Sequence, residues 1–485
     1  MARGRFSPPP VWRFQVAVAA VCAVSLVAAC TGDEDEPRAS GSPNASANPT
    51  PSTSPSIDTC PARPVEPDAE RPRTTLTFSI DAARKVVTGT ETIVFTPDLP
   101  VSELIFRLWA NQPSAAPGTR LEVTSAKSGG ATQFTMEAAG GGAGTPGTLL
   151  RLPLGRNAPA GEAITADLEF TLNLGGAVFE RWGSTGRTAW WGSGHPLLAW
   201  ERGAGWQTQP AAPVGGEYAV SEAGRYDITM DAPAQDTVLI SGSTDAPVAA
   251  GAGRRRWHSV NLTARDVSVA VGTFVQRTGS VDGTPVIAAV SSDTAASATV
   301  LLDQTTQAMR GLVDLLGPYP YPGLTVVAVP PLGSGGIEYP GGFFVGPRLN
   351  PTTVTHEVAH EWFYGMVGDN QARDPWLDEA FATYSEAVVN DKAAVYGGAL
   401  GQPGDVGAQT GSFASEESRY FDVVYRKGAA ALLAARRQAG APAFDAAVRC
   451  YLNANAWQVA TPSDIDRAFT TVPAARTVLR DAGAL

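Results

Sequence analysis

Residues 350–388 read NPTTVTHEVAHEWFYGMVGDNQARDPWLDEAFATYSEAV, and this stretch decides how the rest of the chain is interpreted. Asn350 is a residue type that caps helices, and Pro351 suits a first helical position, so a helix is predicted to begin here. His356 and His360 are four residues apart and would lie on one face of that helix, one turn from each other. Both imidazoles can therefore bind a single metal ion.

A second helix is predicted over residues 376–388, with Asp374 as its N-cap. Eighteen residues separate His360 from Glu379, which is enough for one helix to end, a loop to turn and the next helix to return a carboxylate. Two His and one Glu form a catalytic zinc site whose fourth position is open to water. Glu357, directly after the first histidine, would face that open position as a general base and not as a ligand.

A bare H-E-x-x-H motif can also arise by chance, and a histidine on an apolar helix is usually a core residue. The whole chain has only four His, however, and two of them lie in this motif with a Glu at a matching distance. That concentration favours a metal site over a coincidental pattern.

The motif resembles the signature of the aminopeptidase N-like zinc metallopeptidases of the gluzincin clan, in which H-E-x-x-H is followed, eighteen residues later, by the Glu of W-L-N-E-G. Residues 376–380 read W-L-D-E-A, so Asp378 and Ala380 depart from the usual Asn and Gly, and neither change removes a ligand. The resemblance implies peptide substrates and one Zn²⁺ per chain. The implied zinc ligands are His356, His360 and Glu379.

A Gly-rich segment, residues 333–341 (GSGGIEYPG), precedes the metal motif. Gly335 and Gly336 would let a peptide backbone approach closely, and Glu338 could meet a positive substrate end. The family has G-A-M-E-N here, and its Glu holds the free α-amino group; the resemblance implies that role for Glu338. The bland alternative is a turn with a surface Glu, and the family's additional Gln and acidic amine-binding residues are not evident in the preceding β region.

Two further site residues follow from the same resemblance. Residues 424–429 read V-Y-R-K-G-A and match the family context V-Y-x-K-G-A, whose tyrosine stabilises the tetrahedral intermediate. A phenol can donate a hydrogen bond to a developing oxyanion, so Tyr425 is predicted to be this electrophile, with Tyr420 as the alternative. Glu386, two helical turns after Glu379, is predicted to orient a ligand histidine.

The N-terminus has the features of an export signal. Residues 1–30 are predicted to be a lipoprotein signal peptide, because a basic start is followed by an uncharged apolar run over 16–29, shorter than the roughly 20 residues that span a membrane. Residues 27–30 (V-A-A-C) resemble a bacterial lipobox, with Cys30 as the lipidated residue; a plain signal peptide or anchor is the alternative. Residues 31–58 contain almost nothing apolar to bury and are predicted to be a disordered tether.

The remaining chain is too long for one core, and two domains are expected. Residues 59–277 mostly alternate apolar and polar residues between turn signals, which predicts an antiparallel β-sheet domain. Residues 278–485 are predicted to be a thermolysin-like α+β catalytic domain. The chain ends sixty residues after Tyr425, so the large helical C-terminal domain of many relatives is expected to be absent.

The net charge and the cysteines indicate which kinds of partner and compartment fit this protein. A net charge of −11 and a pI near 5.0 argue against nucleic acid as a partner. Cys60 and Cys450 are the only cysteines in the predicted folded part, and they are a candidate disulfide in an oxidising compartment. The alternative is that both are free thiols. The sequence does not fix the oligomeric state.

The sequence thus predicts an exported zinc metallopeptidase, tethered to the bacterial cell envelope, that removes N-terminal residues from peptides by metal-activated water attack. The enzymatic alternatives are a zinc endopeptidase and an epoxide hydrolase-like enzyme. A third alternative is an inactive zinc-containing, peptide-binding lipoprotein. The presence of Glu357 and Tyr425 weighs against that last alternative, because a binding protein needs no general base.

Overall fold

The structure is a computed structural model that describes residues 60–112, 120–139, 147–175, 180–210, 220–242 and 244–485. The predicted signal peptide, the lipidation candidate Cys30 and the whole of the predicted tether lie outside the described residues. Within the described ranges, no helix is both long enough and apolar enough to cross a membrane.

The strands occur mainly in the first two thirds of the chain. In chain order they are β1 (Arg73–Ile80), β2 (Val86–Phe95), β3 (Val101–Arg107), β4 (Leu121–Lys127), β5 (Thr135–Glu137), β6 (Leu149–Ala158), β7 (Ile164–Asn173), β8 (Trp182–Ser184), β9 (Thr188–Gly192), β10 (Leu197–Leu198), β11 (Trp200–Glu201), β12 (Gly205–Trp206), β13 (Gly224–Pro233), β14 (Thr237–Ile240), β15 (Val248–Gly251), β16 (Arg254–Ala264), β17 (Ser268–Gly272), β18 (Phe274–Val281), β19 (Thr284–Ser291), β20 (Leu324–Ala328), β21 (Gly336–Tyr339) and β22 (Gly342–Val345).

The helices follow and dominate the C-terminal part. They are α1 (Ala298–Leu316), α2 (Pro351–Ala359), α3 (Trp376–Val389), α4 (Ala393–Tyr396), α5 (Glu417–Tyr420), α6 (Gly428–Ala439), α7 (Ala441–Ala454), α8 (Pro462–Ala468) and α9 (Pro473–Asp481). A π-helical turn, Phe421–Lys427, joins α5 to α6. Short 3₁₀ turns occur at Trp109–Asn111, Pro330–Leu332, Gly397–Gly401, Thr410–Phe413 and Phe469–Thr471.

The predicted β domain is confirmed. Its largest sheet has seven strands in the order β15-β16-β13-β1-β2-β7-β4, accompanied by four-stranded sheets β10-β3-β6-β5 and β14-β17-β9-β8 and the hairpin β11-β12. Among its described strands, all pairings are antiparallel except that of β1 with β13. Burial alternates residue by residue along β1, β2 and β7, so each strand has one core face and one more exposed face of mainly polar residues.

The second part is the predicted α+β domain, built on a mixed sheet of order β18-β19-β20-β22-β21. The parallel strands β19, β20 and β22 occupy its centre, and β21 pairs antiparallel with β22 at one edge. The domain boundary predicted after residue 277 falls inside β18. Because β18 pairs with β19 along its whole length, this sheet begins at Phe274, a few residues earlier than expected.

The metal motif lies where two capped helices meet. Asn350 is the N-cap of α2, and its side chain accepts a hydrogen bond from the Thr352 N–H (3.1 Å), with a proline in the first turn as predicted. The second cap differs from the prediction, because α3 begins at Trp376 without a side-chain cap. The Asp374 carboxylate instead accepts a hydrogen bond from Arg373 Nε (2.7 Å).

Cys60 and Cys450 are both free thiols in the structure, so the candidate disulfide is not formed there. The two residues are nonetheless neighbours: burial and then the adjacent Cys60 thiol raise the pKa of Cys450 to about 12. Asn453, on the same helix as Cys450, fixes the entering chain by hydrogen bonds with Pro61 O and Val65 N, each 2.9 Å. Joining the sulfurs requires an oxidant to remove two electrons and two protons, and proximity alone does not supply one.

We expect this pair to close when an external disulfide oxidant is present. In the chain-entropy model, a bridge across so long a loop stabilises the fold by about 6 kcal/mol, so reduction should lower the unfolding midpoint. Mass spectrometry of the non-reduced protein measures the result as a loss of two hydrogens, and Cys60→Ser should abolish both the mass change and the effect of reductant. Two free thiols after treatment with glutathione disulfide would contradict the prediction.

Candidate active site

Three predicted metal ligands converge between α2 and α3. The Nε2 atom of His356 lies 3.2 Å from Glu379 Oε2, and the Nε2 atom of His360 lies 3.6 Å from the same oxygen. The two imidazole rings are 4.6 Å apart between centroids and nearly perpendicular. One ligand atom from each residue falls within 4.8 Å of the other two, so a single ion can be held by all three.

The geometry and the charge of this site both fit zinc. Tetrahedral ligands at about 2.1 Å from a zinc ion lie about 3.4 Å from one another, which agrees with the separations of 3.2 and 3.6 Å measured here. The surroundings are strongly acidic, since the carboxyl groups of Glu338, Glu357, Asp378, Glu379 and Glu386 are all buried. A divalent cation would offset much of that buried negative charge.

Each ligand histidine has a carboxylate on its other ring nitrogen. Glu386, predicted from its spacing, has Oε2 3.3 Å from Nδ1 of His356, and the Tyr396 hydroxyl donates to its other oxygen. Asp378 Oδ1 lies 2.5 Å from Nδ1 of His360, a contact that the sequence analysis missed. Such partners orient the imidazole and leave Nε2 free for the metal. The sequence did contain a sign of this contact, because Asp378 is an acidic residue at a position where the family usually has Asn.

Glu357 lies in a pocket formed by the edge strand. It is 4% exposed, and its Oε2 has no hydrogen-bond partner among the described residues. Burial raises the pKa of its carboxyl to about 8, and the positive charge of a zinc ion at the ligands would lower that pKa and favour the basic carboxylate form. A Cβ added to Gly336 would lie 2.4 Å from the Glu357 carboxyl carbon, so only glycine at this position leaves room for the base.

The structure places Tyr425 at the metal ligands and Tyr420 in the core. The Tyr425 hydroxyl donates to Oε1 of Glu379, and its ring is parallel to the His356 ring at 5.9 Å between centroids. Burial, together with the nearby Glu379 carboxylate, raises the pKa of Tyr425 well above its ordinary value, so the phenol remains a donor. Tyr420 is 1% exposed and packs edge-on against Phe413.

Glu338 lies on β21, at the sheet edge nearest the metal ligands. A carboxylate oxygen of Glu338 lies within 4.8 Å of an imidazole nitrogen of His360, and its Oε1 is buried without a hydrogen-bond partner in the described part of the chain. It is therefore not the surface residue of the bland alternative. Gly335 precedes the strand, and its N–H donates to Leu332 O (2.8 Å) in the turn that leads into it.

One charged β-domain residue lies near Glu338 and was missed by the sequence analysis. Burial acts to lower the pKa of the Arg181 guanidinium, but Tyr339, Glu338 and Glu180 outweigh it and raise that pKa above its ordinary value. Arg181 is therefore close enough to Glu338 for the two charges to interact. No local pattern marks Arg181, because its position depends on how the β domain meets the catalytic sheet.

A cavity of about 590 Å³ opens beside the metal ligands. It is bounded by side chains from α2, α3, α4, α5 and the π-helical turn. The lining residues are His356, Thr383, Glu386, Tyr396, Ser418, Phe421, Asp422, Tyr425 and Arg426. The cavity gives an extended ligand access to His356 and Tyr425 from solvent.

Residues 302–480 match the peptidase family M1 domain over a range that contains every metal ligand described above. This part of the chain is an M1 peptidase domain. The ligand set of the M1 domain and the family match together identify zinc as its cofactor.

Curated relatives resemble this chain over short stretches. A segment of 188 residues is 29% identical to the tricorn protease-interacting factor F2 of Thermoplasma volcanium, covering 32% of this chain and 24% of that protein. Another segment of 85 residues is 33% identical to the bovine (Bos taurus) endoplasmic reticulum aminopeptidase 2, covering 14% of this chain and 9% of that protein. The matches thus span a quarter or less of these relatives.

Solved structures share the arrangement of both parts of the chain. An M1 zinc metallopeptidase from Deinococcus radiodurans aligns with a TM-score of 0.65 over 86% of this chain and 94% of that chain, at 19% identity. A mutant of that enzyme bound to a Tyr-Ser-Ala substrate aligns with a TM-score of 0.64, also at 19% identity, over 85% and 94% of the two chains. At this identity the likeness establishes the fold, a β domain followed by an M1 domain.

Proposed function

We propose that this protein is a zinc aminopeptidase that removes residues from the free N-termini of peptides. The observation that carries the proposal is the Glu338 carboxylate, whose Oε1 is buried without a partner while the side chain lies within reach of His360. A buried carboxylate oxygen that no donor reaches is costly unless a cation or another donor joins it there. The protonated α-amine of a peptide is such a cation.

Peptide hydrolysis needs a base, and Glu357 supplies it. Zinc, when bound by the three ligands, supplies Lewis acidity that polarises the scissile carbonyl and makes water more acidic. The Glu357 carboxylate takes a proton from the attacking water and then passes it to the departing nitrogen. Gly336 contributes by leaving space for that carboxylate. Glu386 and Asp378 hold the ligand imidazoles in orientation through their Nδ1 atoms.

Tyr425 stabilises the charge that develops during attack. Its hydroxyl is at the edge of the ligand set, and its pKa is raised, so it donates a hydrogen bond throughout the working pH range. A preorganised donor is most valuable when the substrate oxygen becomes negative, because that charge is absent in the ground state. The parallel stacking on His356 keeps the phenol ring in place.

We further propose that the enzyme acts outside the cytoplasm, at the bacterial cell envelope, held there by lipid on Cys30. The support is the sequence alone: a basic start, an apolar run that ends in V-A-A-C, and a polar segment that follows. Metabolic labelling with a palmitate analogue tests it, because Cys30→Ser should remove the label and release the protein from the membrane fraction.

The aminopeptidase function is tested with paired peptides that differ only at the N-terminus. A charge-assisted hydrogen bond between Glu338 and the α-amine contributes about 1.5 to 3 kcal/mol, or roughly 10- to 150-fold in kcat/KM. We therefore expect free N-termini to be cut one residue at a time and N-acetylated copies to be poor substrates by that factor. Glu338→Ala should erase the difference. Glu338→Asp, which keeps the charge on a shorter side chain, should retain part of it.

The same assay separates the alternatives. A zinc chelator should abolish all cleavage, and restored zinc should recover it. Equal cleavage of free and acetylated peptides would establish an endopeptidase and overturn the exopeptidase proposal. No cleavage by the zinc-loaded protein of any peptide in a broad library, with epoxide substrates also unreacted, would instead point to a peptide-binding protein.

A further inference from the structure

The loop between the two metal helices is bound by a buried carboxylate of the β domain. Glu201, on β11, has a side chain that is only 6% exposed. Its Oε2 accepts hydrogen bonds from Asn370 Nδ2 (3.0 Å) and from Arg373 Nη1 (3.2 Å), and its Oε1 accepts one from Arg373 Nη2 (2.8 Å). The guanidinium is therefore bound in a fork geometry that fixes direction as well as distance.

Asn370 adds further hydrogen bonds that hold the same loop in place. It is fully buried, and its amide nitrogen donates to both Glu201 Oε2 and Gln207 Oε1, each at 3.0 Å. Its side-chain oxygen accepts a hydrogen bond from the Arg373 N–H at 3.2 Å. Moving the loop would break several hydrogen bonds of buried groups together, which is costly because the freed groups find no water.

The next residue of the loop leads to a metal ligand. Gln371 Nε2 donates to Asp378 Oδ2 (3.2 Å), and the other oxygen of Asp378 contacts His360 Nδ1. The Gln371 carbonyl accepts a hydrogen bond from Thr410 Oγ1 (2.7 Å), which holds its backbone from the opposite side. Glu201 is therefore linked to His360 by side-chain hydrogen bonds at both ends and by the loop backbone between Asn370 and Gln371.

We propose that Glu201 is a positioning residue for the zinc site: it holds the 370–373 loop so that Gln371 and Asp378 keep the His360 imidazole aimed at the metal. This inference rests on the metal site of the proposed function and adds a β-domain residue to it. Direct partners of zinc-bound histidines typically contribute 10- to 100-fold to metal affinity. Glu201 acts through two further contacts, so we expect an effect at or below about tenfold.

A purely structural clamp between the two parts of the chain is the competing explanation. It predicts lower stability after mutation but an unaltered metal environment. The test therefore measures the metal and not peptide hydrolysis, so its outcome does not depend on the proposed activity. The chain offers a matched control in Asp236, a buried carboxylate bound by Nε and Nη2 of Arg84 at 3.0 and 2.5 Å within the β domain.

The experiment compares Glu201→Gln with Asp236→Asn in the zinc-loaded protein. Two readouts are used: the rate at which zinc passes to a chromogenic chelator, and the visible absorption spectrum after replacement of zinc by Co²⁺. We expect Glu201→Gln to release zinc several-fold to about tenfold faster and to shift the cobalt bands, because His360 is less well aligned. Asp236→Asn should lower the unfolding midpoint without changing either metal readout.

Gln371→Met tests the route and guards against a Glu201 variant that does not fold. It removes the hydrogen bond to Asp378 while leaving the Glu201 contacts intact, so it should reproduce the faster zinc release. The double variant should release zinc no faster than the faster single variant, since both act through one connection. Unchanged zinc release and an unchanged cobalt spectrum in Glu201→Gln or in Gln371→Met would overturn the proposal.

Discussion

Replacing Glu357 by Gln should leave one zinc bound per chain and lower kcat by about 10² to 10⁴, the range that general-base catalysis supplies. The amide has nearly the shape of the carboxyl group but cannot take a proton from water. The three ligands are untouched, and Gly336 continues to provide the space that the side chain occupies. Steady-state kinetics on a peptide amide, with zinc content measured on the same samples, gives the result.

Glu357→Asp is the matched control for this prediction. It keeps an ionisable carboxyl group one methylene further from the site, so it should retain more activity than the Gln variant. The pair separates loss of the base from loss of shape. Near-normal turnover by a zinc-replete Gln variant would show that another group takes the proton, and the mechanism proposed here would be wrong.

Removing the Tyr425 hydroxyl should have the second largest effect. Tyr425→Phe keeps the ring that stacks on His356 and deletes only the donor that reaches Glu379. Loss of one oxyanion donor usually costs about 10² to 10³ in kcat, and KM should change little because the interaction strengthens mainly in the transition state. Single-substrate kinetics on wild type and variant measure both constants.

Tyr420→Phe controls for aromatic packing in the same region. Tyr420 is buried, and its ring contacts the Tyr425 ring at 5.7 Å between centroids, so the change perturbs the neighbourhood without touching the ligands. We expect a modest loss of stability and nearly unchanged kcat. An equal loss of kcat in the two variants would assign the effect to packing and remove Tyr425 from the chemistry.

The local part of the site could be predicted because it depends on helix geometry. The spacing of His356 and His360 determines that they share a face, and the caps around Asn350 indicate where that face begins. Only eighteen residues separate His360 from Glu379, so there are few ways for a second helix to pack against the first with Glu379 near the two histidines. The β domain was predictable for a similar reason, since in strands such as β1 the apolar residues alternate with polar ones in the sequence just as burial alternates in the structure.

The parts that were not predicted depend on contacts between distant segments. Glu201 meets Arg373 across 172 positions of sequence, and no periodicity links them. Arg181 reaches Glu338 only because the β domain packs on the catalytic sheet. The contact of Asp378 with His360 could have been predicted, but Asp378 was interpreted only as a departure from the family's Asn. A carboxylate directly before the ligand Glu379 is itself a sign of a residue that orients a ligand histidine.

The π-helical turn Phe421–Lys427 makes the enzyme vulnerable to a kind of mutation that substitution scans do not sample. A π turn contains a residue more than the α-helical pattern accommodates, and here that surplus precedes α6 and includes Tyr425. Deleting Arg426 would let the segment relax to an ordinary α-helix and rotate the phenol by about 100° relative to α6. If Tyr425 has the role proposed here, one in-frame codon deletion would therefore remove its phenol from the site, with every proposed catalytic side chain still encoded by the gene.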